Sequence, residues 1–289
     1  MFVDLHLHLL PGVDDGPGDE AASLTYAERL AADGVHEAAV TPHVGHPQFP
    51  LEIATIGERT RALQAAIDGA GIHLRLHAGG EIHPGAATSL EAADLDLIAH
   101  GPAGARWVLL EVPFDGIDQA FLGGCRAVRG QGFGLVIAHP ERARGFSTGG
   151  FELLCAELAE GALLQVSVCS LLGRHGQEAQ RAADGLIRAG LAYLIASDGH
   201  GGRRGHTLRP GAGLARAAGA SAIQSSQLTH ANPRFLLDHG IPRLRVDAQT
   251  RAVGELSRST GSLSGTGTAG TRSSGSAAKR YPTPKCVWM

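Results

Sequence analysis

The chain has 289 residues and a mass of 29.9 kDa, with 43% hydrophobic residues and a mean hydropathy of +0.00. That is the apolar content of one large domain or two small ones, and it excludes disorder throughout. No run approaches the eighteen or so apolar residues of a membrane helix and no charged leader precedes Met1-Phe2-Val3, so a cytoplasmic protein with no membrane span is expected. A net charge of −3 and a pI near 6.6 argue against a nucleic-acid binder with a basic surface. The four cysteines (Cys125, Cys155, Cys169, Cys286) have no CxxC spacing, which points to a reducing compartment. Fifteen histidines against three tyrosines and two tryptophans stand out, because imidazole is the commonest metal ligand and general acid or base.

Taken in chain order, short apolar runs at 2–5, 35–40, 74–78, 106–111, 134–138, 163–168 and 192–196 predict seven strands. Helical spacing lies between them: Leu24, Ala27, Leu30 and Ala31; Leu153, Leu154 and Leu158; Ala182, Leu186, Ile187 and Ala189. Gly34, Gly161 and Gly190 are placed to cap helices and feed the next strand. Alternating strand and helix predicts parallel strands joined by right-handed crossovers, and seven repeats in about 240 residues favour an α/β barrel over an open sheet. Beyond this the composition changes. Residues 250–289 carry six Lys/Arg and one Glu, +5, leaving 19 bases and 27 acids, −8, in the first 249. We therefore expect a folded domain over 1–245 and a low-complexity, disordered tail over 246–289. The final Cys286-Val287-Trp288-Met289 has the form of a prenylation box, a pattern too short to outweigh chance.

Six of the seven predicted strands end in a metal-type residue. Strand one runs into His6 and His8, strand two into His43, strand three into Glu81; strand four ends at Glu111, strand five runs into His139, and strand seven into Asp198 and His200. In a parallel α/β barrel all strand C-termini open on one face, so residues almost 200 positions apart would converge there. Spaced two apart on a strand, His6 and His8 point to one side, as chelation requires. Imidazole and carboxylate without thiolate suit manganese, iron, zinc or magnesium, and eight such groups imply two or three ions. His36, His73, His77, His100, His206, His230 and His239 lack a partner at ligand spacing and are expected at the surface or in caps; His46, His83 and His175 lie near the expected mouth.

Other chemistries lack their parts. Cys169 and Arg174 have four residues between them rather than the five of a thiol phosphatase, and neither Cys125 nor Cys155 has an arginine at that distance. There is no GxxxxGK[ST] loop and no GxSxG elbow.

Asp4-Leu5-His6-Leu7-His8, Pro11-Gly12-Val13-Asp14-Asp15-Gly16, Thr41-Pro42-His43, Gly80-Glu81-Ile82, Leu110-Glu111, Ala138-His139-Pro140-Glu141-Arg142 and Ala196-Ser197-Asp198-Gly199-His200 resemble, in order, the motifs of the polymerase-and-histidinol-phosphatase (PHP) superfamily. The LPGxDDG run, the HPER run and Ser170-Leu171-Leu172-Gly173 are most similar to its bacterial tyrosine-protein phosphatases of capsular and exopolysaccharide loci. The resemblance, over about residues 1–240, implies a distorted seven-stranded (β/α)7 TIM-like barrel with a trinuclear centre, often manganese-supported, that dephosphorylates phosphotyrosine. It implies that His6, His8, Glu81 and Asp198 surround one ion, that Glu81 and Glu111 bridge neighbours, that His139, His43 and His200 complete the others, and that Asp14 or Asp15 touches the centre. The expected substrate is a phosphotyrosyl protein, a bacterial tyrosine kinase of polysaccharide synthesis, attacked by a metal-bound hydroxide without a protein nucleophile. Arg142 and Arg203 or Arg204 are the candidates to hold phosphate oxygens. The alternatives are a phosphoesterase for a small monoester such as histidinol phosphate, and a metal-binding docking module without turnover; the sequence leaves the oligomeric state open.

Overall fold

The computed structural model describes residues 1–241; the expected tail and its terminal cysteine motif lie outside them. Among the described residues the strands are β1 (Phe2–Leu7), β2 (Val35–Val40), β3 (His43–Val44), β4 (Arg75–Ala78), β5 (Glu81–Ile82), β6 (Trp107–Glu111), β7 (Gly134–Ala138), β8 (Leu163–Ser167) and β9 (Ala192–Ala196). The main helices between them are α1 (Glu20–Ala32), α2 (Ile56–Gly69), α3 (Ala92–Ile98), α4 (Gln119–Gly130), α5 (Gly150–Ala159), α6 (Val168–Leu171) and α7 (Gln177–Arg188). After β9 come α8 (Gly211–Ala217), α9 (Ala222–Ser226) and α10 (Asn232–His239). The protein is an α/β fold in which every strand pairing is parallel. No described helix is long and apolar enough to cross a membrane.

Among the described residues nine strands in two sheets, ordered β1-β2-β4 and β3-β5-β6-β7-β8-β9, stand where seven in one barrel were expected. The extra strands arise because the second and third apolar runs each continue past a break. Pro42 has no N–H to donate to the ladder. At Gly80 an added Cβ would lie 2.7 Å from Val44 Cγ2, so only glycine allows the close approach there. The register survives both breaks, with Val40 opposite Ala78 and His43 opposite Glu81, an offset of 38 residues in each case. At the other margin the end of β1 meets the segment after β9: Leu7 bridges Gly199, and the His8 amide donates to Gly199 O at 2.8 Å.

Apolar side chains sort into two clusters. The larger lies between the strands and the helices. The smaller joins Val3 and Leu5 of β1 to Ala39, Trp107, Leu109, Val136, Ala138, Leu194 and Ala196, one face of strands in both sheets, and α10 closes it through Leu236. Trp107 Nε1 donates to Leu236 O at 3.0 Å, so the indole has its polar partner in an apolar setting. His100 departs from its expected surface position: it is buried, with its ring 4.8 Å from that of Trp107. It fills the space beside Gly79, which has no Cβ to exclude it.

Candidate metal centre

The polar residues sit toward the C-terminal ends of the strand runs, with His43 and Glu81 opening the short β3 and β5 that continue β2 and β4, and local backbone irregularities aim them. Between Asp4↔Ala38 and Leu7↔Val40, β1 spends three residues against two of β2, a bulge. Val3 and Leu5 face the inner apolar cluster; past the bulge Leu7 joins the outer core, and His6 and His8 turn toward the site. His139 and Asp198, just past β7 and β9, are the two non-glycine residues with positive φ among those described, at 32° and 50°. Such backbone costs about 1–3 kcal/mol per residue and persists where surrounding structure over-determines it, as at functional sites.

The result is a buried cluster around Glu81. Its Oε1 lies 2.9 Å from His139 Nε2 and 3.3 Å from His6 Nε2; its Oε2 lies 3.1 Å from His43 Nδ1 and 3.4 Å from His8 Nε2. Asp198 Oδ1 is 3.5 Å from His6 Nε2. Donor atoms within 4.8 Å of one another form four overlapping groups: His8, Asp15, His43 and His200; His6, His8 and Glu81; His6, His139 and Asp198; His43, Glu81 and Glu111. All eight residues singled out in the sequence are thus brought together, and Asp15 joins them.

Hydrogen bonds behind the cluster fix which nitrogens face inward. Asp14 Oδ2 is 2.7 Å from His8 Nδ1, and a carboxylate only accepts, so Nδ1 carries the proton and Nε2 offers its lone pair to the cluster. Gln165 Oε1 lies 2.9 Å from His6 Nδ1 and accepts from the His139 amide at 3.3 Å; because the amide can only donate, that atom is the oxygen, and His6 takes the same tautomer. The two Nε2 atoms then meet at 3.4 Å beside carboxylates, and each offers a lone pair to a cation that displaces its proton. The donor set suits divalent cations: imidazole Nε2 atoms and anionic oxygens inside, orienting partners outside.

The titration behaviour agrees with this concentration of charge. Burial acts against a charged His6, yet Glu81 and Asp198 outweigh it and raise the imidazole to about 9. His43 rises to about 11, as bonds to Asp15 and Glu81 overcome burial. Burial and the neighbouring Glu81 push Glu111 up to about 8. Against its burial, Asp198 is held well below the usual carboxylate range by His6 and His139. The negative charge that draws protons here is the charge that would hold cations.

A family model described as capsular polysaccharide synthesis, CpsB/CapC, matches residues 2–238. The chain belongs to the CpsB/CapC family. It is 30% identical over 203 residues to the tyrosine-protein phosphatase YwqE of Bacillus subtilis, which covers 69% of this chain and 77% of that one. The putative tyrosine-protein phosphatase CapC of Staphylococcus aureus is 28% identical with the same coverage. A solved structure from work on YwqE of B. subtilis and CpsB of Streptococcus pneumoniae, described as unique metal-dependent tyrosine phosphatases, superposes with a TM-score of 0.70 at 25% identity, covering 83% of this chain and 98% of that one. A phosphotriesterase homology protein of Escherichia coli, at 11% identity and a TM-score of 0.51, shares the fold.

In this CpsB/CapC chain the arginines separate. Arg142 reaches Asp198 Oδ2 at 3.1 Å and lays its guanidinium 4.3 Å from the Phe114 ring centre. Arg204 bridges Asp15 and His200, the latter at 2.9 Å. Arg203 is exposed and lines an adjoining hollow of about 320 Å3. The choice between the two adjacent aspartates is resolved by their contacts: Asp15 Oδ1 approaches His200 Nε2 at 3.3 Å, whereas Asp14 stands behind His8. Sequence reasoning missed Gln165, although its signal was present as one amide within the apolar run Leu163-Leu164-Gln165-Val166. His46 lies at the mouth, and His83 packs edge-on against it at 5.0 Å. His175 bonds Ser170 Oγ at 3.0 Å and belongs to none of the four donor groups. Cys169 lies buried on α6, and burial with nearby Asp198 pushes its thiol up to about 11, so it is no thiolate nucleophile at neutral pH.

Proposed function

We propose that this chain is a metal-dependent protein-tyrosine phosphatase. The observation that carries the assignment is Glu81, a buried carboxylate within 3.4 Å of four imidazole nitrogens. The family membership and the phosphatase names of its relatives support it. In this view the two sheets act as one distorted ring of seven strand runs, continuous through the shared register at His43 and Glu81. His6, His8, His43, Glu81, Glu111, His139, Asp198 and His200, with Asp15, would hold two or three divalent ions, manganese first. Bound there, the ions would supply Lewis acidity and an acidified water as nucleophile.

The remaining tasks fall to the protein. Arg142 would exchange its bond to Asp198 for phosphate oxygens and offset the charge that develops on them. Arg204 would do the same from the Asp15 side, and Arg203 would meet the peptide beyond the phosphate. Asp14 and Gln165 orient His8 and His6. A phenolate, whose conjugate acid has a pKa of about 10, departs without a strong general acid, so none is required. We assign the substrate to a phosphotyrosyl protein, a bacterial tyrosine kinase of capsule or exopolysaccharide synthesis in the cytoplasm, and the activity to residues 1–245.

The test is hydrolysis of a phosphotyrosyl peptide by the purified protein with added manganese. Activity abolished by chelation is expected. Turnover of histidinol phosphate with none of the peptide would move the assignment to a small phosphomonoester. Full metal content with no phosphoester turnover would make the protein a binding module.

A further inference from the structure

The cavity above the cluster, about 160 Å3, is lined by ten polar or charged side chains and by two apolar ones, Phe49 and Phe114. Neither phenyl ring can ligate a metal ion or hydrogen-bond a phosphate, and Phe114 is 45% exposed on a face otherwise polar. Both are nonetheless fixed by ring contacts. Phe49 stacks on His43, with centroids 5.4 Å apart and planes at 8°, and on His46 at 4.7 Å. Phe114 has Arg142 over its face at 4.3 Å and the His139 ring at 5.9 Å. Phe49 thus stands beside His43 and Phe114 beside His139, imidazoles that approach different oxygens of Glu81, and both rings line the one cavity.

We propose that Phe49 and Phe114 are the walls of an aryl slot that receives the phenyl ring of the substrate while its phosphate sits on the cluster below. This rests on the phosphatase assignment and adds the reason an aromatic phosphoester is preferred to an aliphatic one. The ring of a phosphotyrosyl side chain is the part that must lie immediately outside the phosphate, where these two apolar surfaces are. An alkyl phosphoester presents no flat surface to either wall. Phe114 has a second task as a positioning residue, because the guanidinium lying on it is the one aimed at Asp198.

The two tasks separate by experiment. Phenylphosphonate and methylphosphonate carry the same anionic head and differ in the ring, and neither is hydrolysed. Their dissociation constants would be measured by calorimetry on the manganese-loaded full chain, with metal content checked by elemental analysis. An aromatic contact contributes roughly a two- to tenfold factor in affinity. Wild-type protein is expected to bind phenylphosphonate about tenfold more tightly than methylphosphonate, and Phe49→Ala and Phe114→Ala are each expected to cut that ratio severalfold, while Phe114→Tyr retains it. If Phe114→Ala weakens both phosphonates equally and Phe49→Ala changes neither, the phenylalanines only support their neighbours and the slot is refuted. Equal affinity of the wild type for the two ligands, with phosphotyrosyl hydrolysis intact, refutes the slot alone. Absence of that hydrolysis in the metal-loaded wild type removes the assignment beneath it.

Discussion

Gln165 offers the sharpest test of how the cluster is organised, because it touches two expected metal residues without being a ligand itself. It is fully buried, and its Oε1 lies 2.9 Å from His6 Nδ1 and 3.3 Å from the His139 amide. Gln165→Leu keeps the volume and removes that acceptor, leaving two buried donors unsatisfied. Each costs about 1–3 kcal/mol. Gln165 Nε2 is itself a buried atom without a partner, so its removal offsets part of the loss, and we expect a net destabilisation of about 2 kcal/mol. For a domain of this size that is a fall of roughly 4–8 °C in Tm. Freed of its anchor, His6 no longer presents Nε2 reliably, and loss of such an orienting partner typically costs about 10–100-fold in metal affinity. Calorimetric titration of the metal-free variant with manganese, beside a thermal melt, measures both effects. Unchanged manganese affinity in a variant that melts as the wild type does would refute the orienting role.

pH dependence follows from the raised groups. His6 at about 9 and His43 at about 11 are protonated at pH 7 in the metal-free protein, so binding a cation displaces protons and apparent affinity should rise with pH from 6 to 9; proton release seen calorimetrically in buffers of different ionisation enthalpy checks it, and pH-independent affinity contradicts it. The folded value of His6 lies above the ordinary 6.5, so the stabilisation it provides is complete below 6.5 and lost as pH rises toward 9. Glu111, raised to about 8, acts in the same direction, so the Tm of metal-free protein should fall across this window and flatten when manganese is added. Cys169→Ser should leave turnover nearly unchanged, since the thiol is buried and protonated; loss of activity with metal retained would contradict a metal mechanism. Gly79→Ala would drive a methyl group into the His100 ring, an overpacking expected to cost about 1–3 kcal/mol, readable as a lower urea midpoint.

Much of this arrangement was legible in the sequence because both of its signals are local. Strands at 35–40, 134–138 and 192–196 coincide with β2, β7 and β9, since a buried parallel strand is a continuous apolar run bounded by turn residues. The ligand-type residues were legible because a parallel fold collects strand ends on one face, whatever their separation along the chain. What escaped is what no period records. A two-residue strand such as His43–Val44 exists only because a neighbour pairs with it. Asp14 and Asp15 are adjacent on a loop, and only the positions of His8 and His200 distinguish them. Gln165 ends no strand, so a search of strand ends passes over it. His100 has no partner at ligand spacing, yet its place is set by Trp107 and by the absence of a side chain at Gly79.

The claim on which the rest depends is that Glu81 and the imidazoles around it hold more than one divalent cation. Anomalous diffraction at the manganese edge, from crystals of the full chain grown with manganese, addresses it directly. Two or three peaks are expected among His6, His8, His43, Glu81, Glu111, His139, Asp198 and His200, with Asp15 beside one of them. Crystals that hold manganese elsewhere, with no peak inside this cluster, would contradict it.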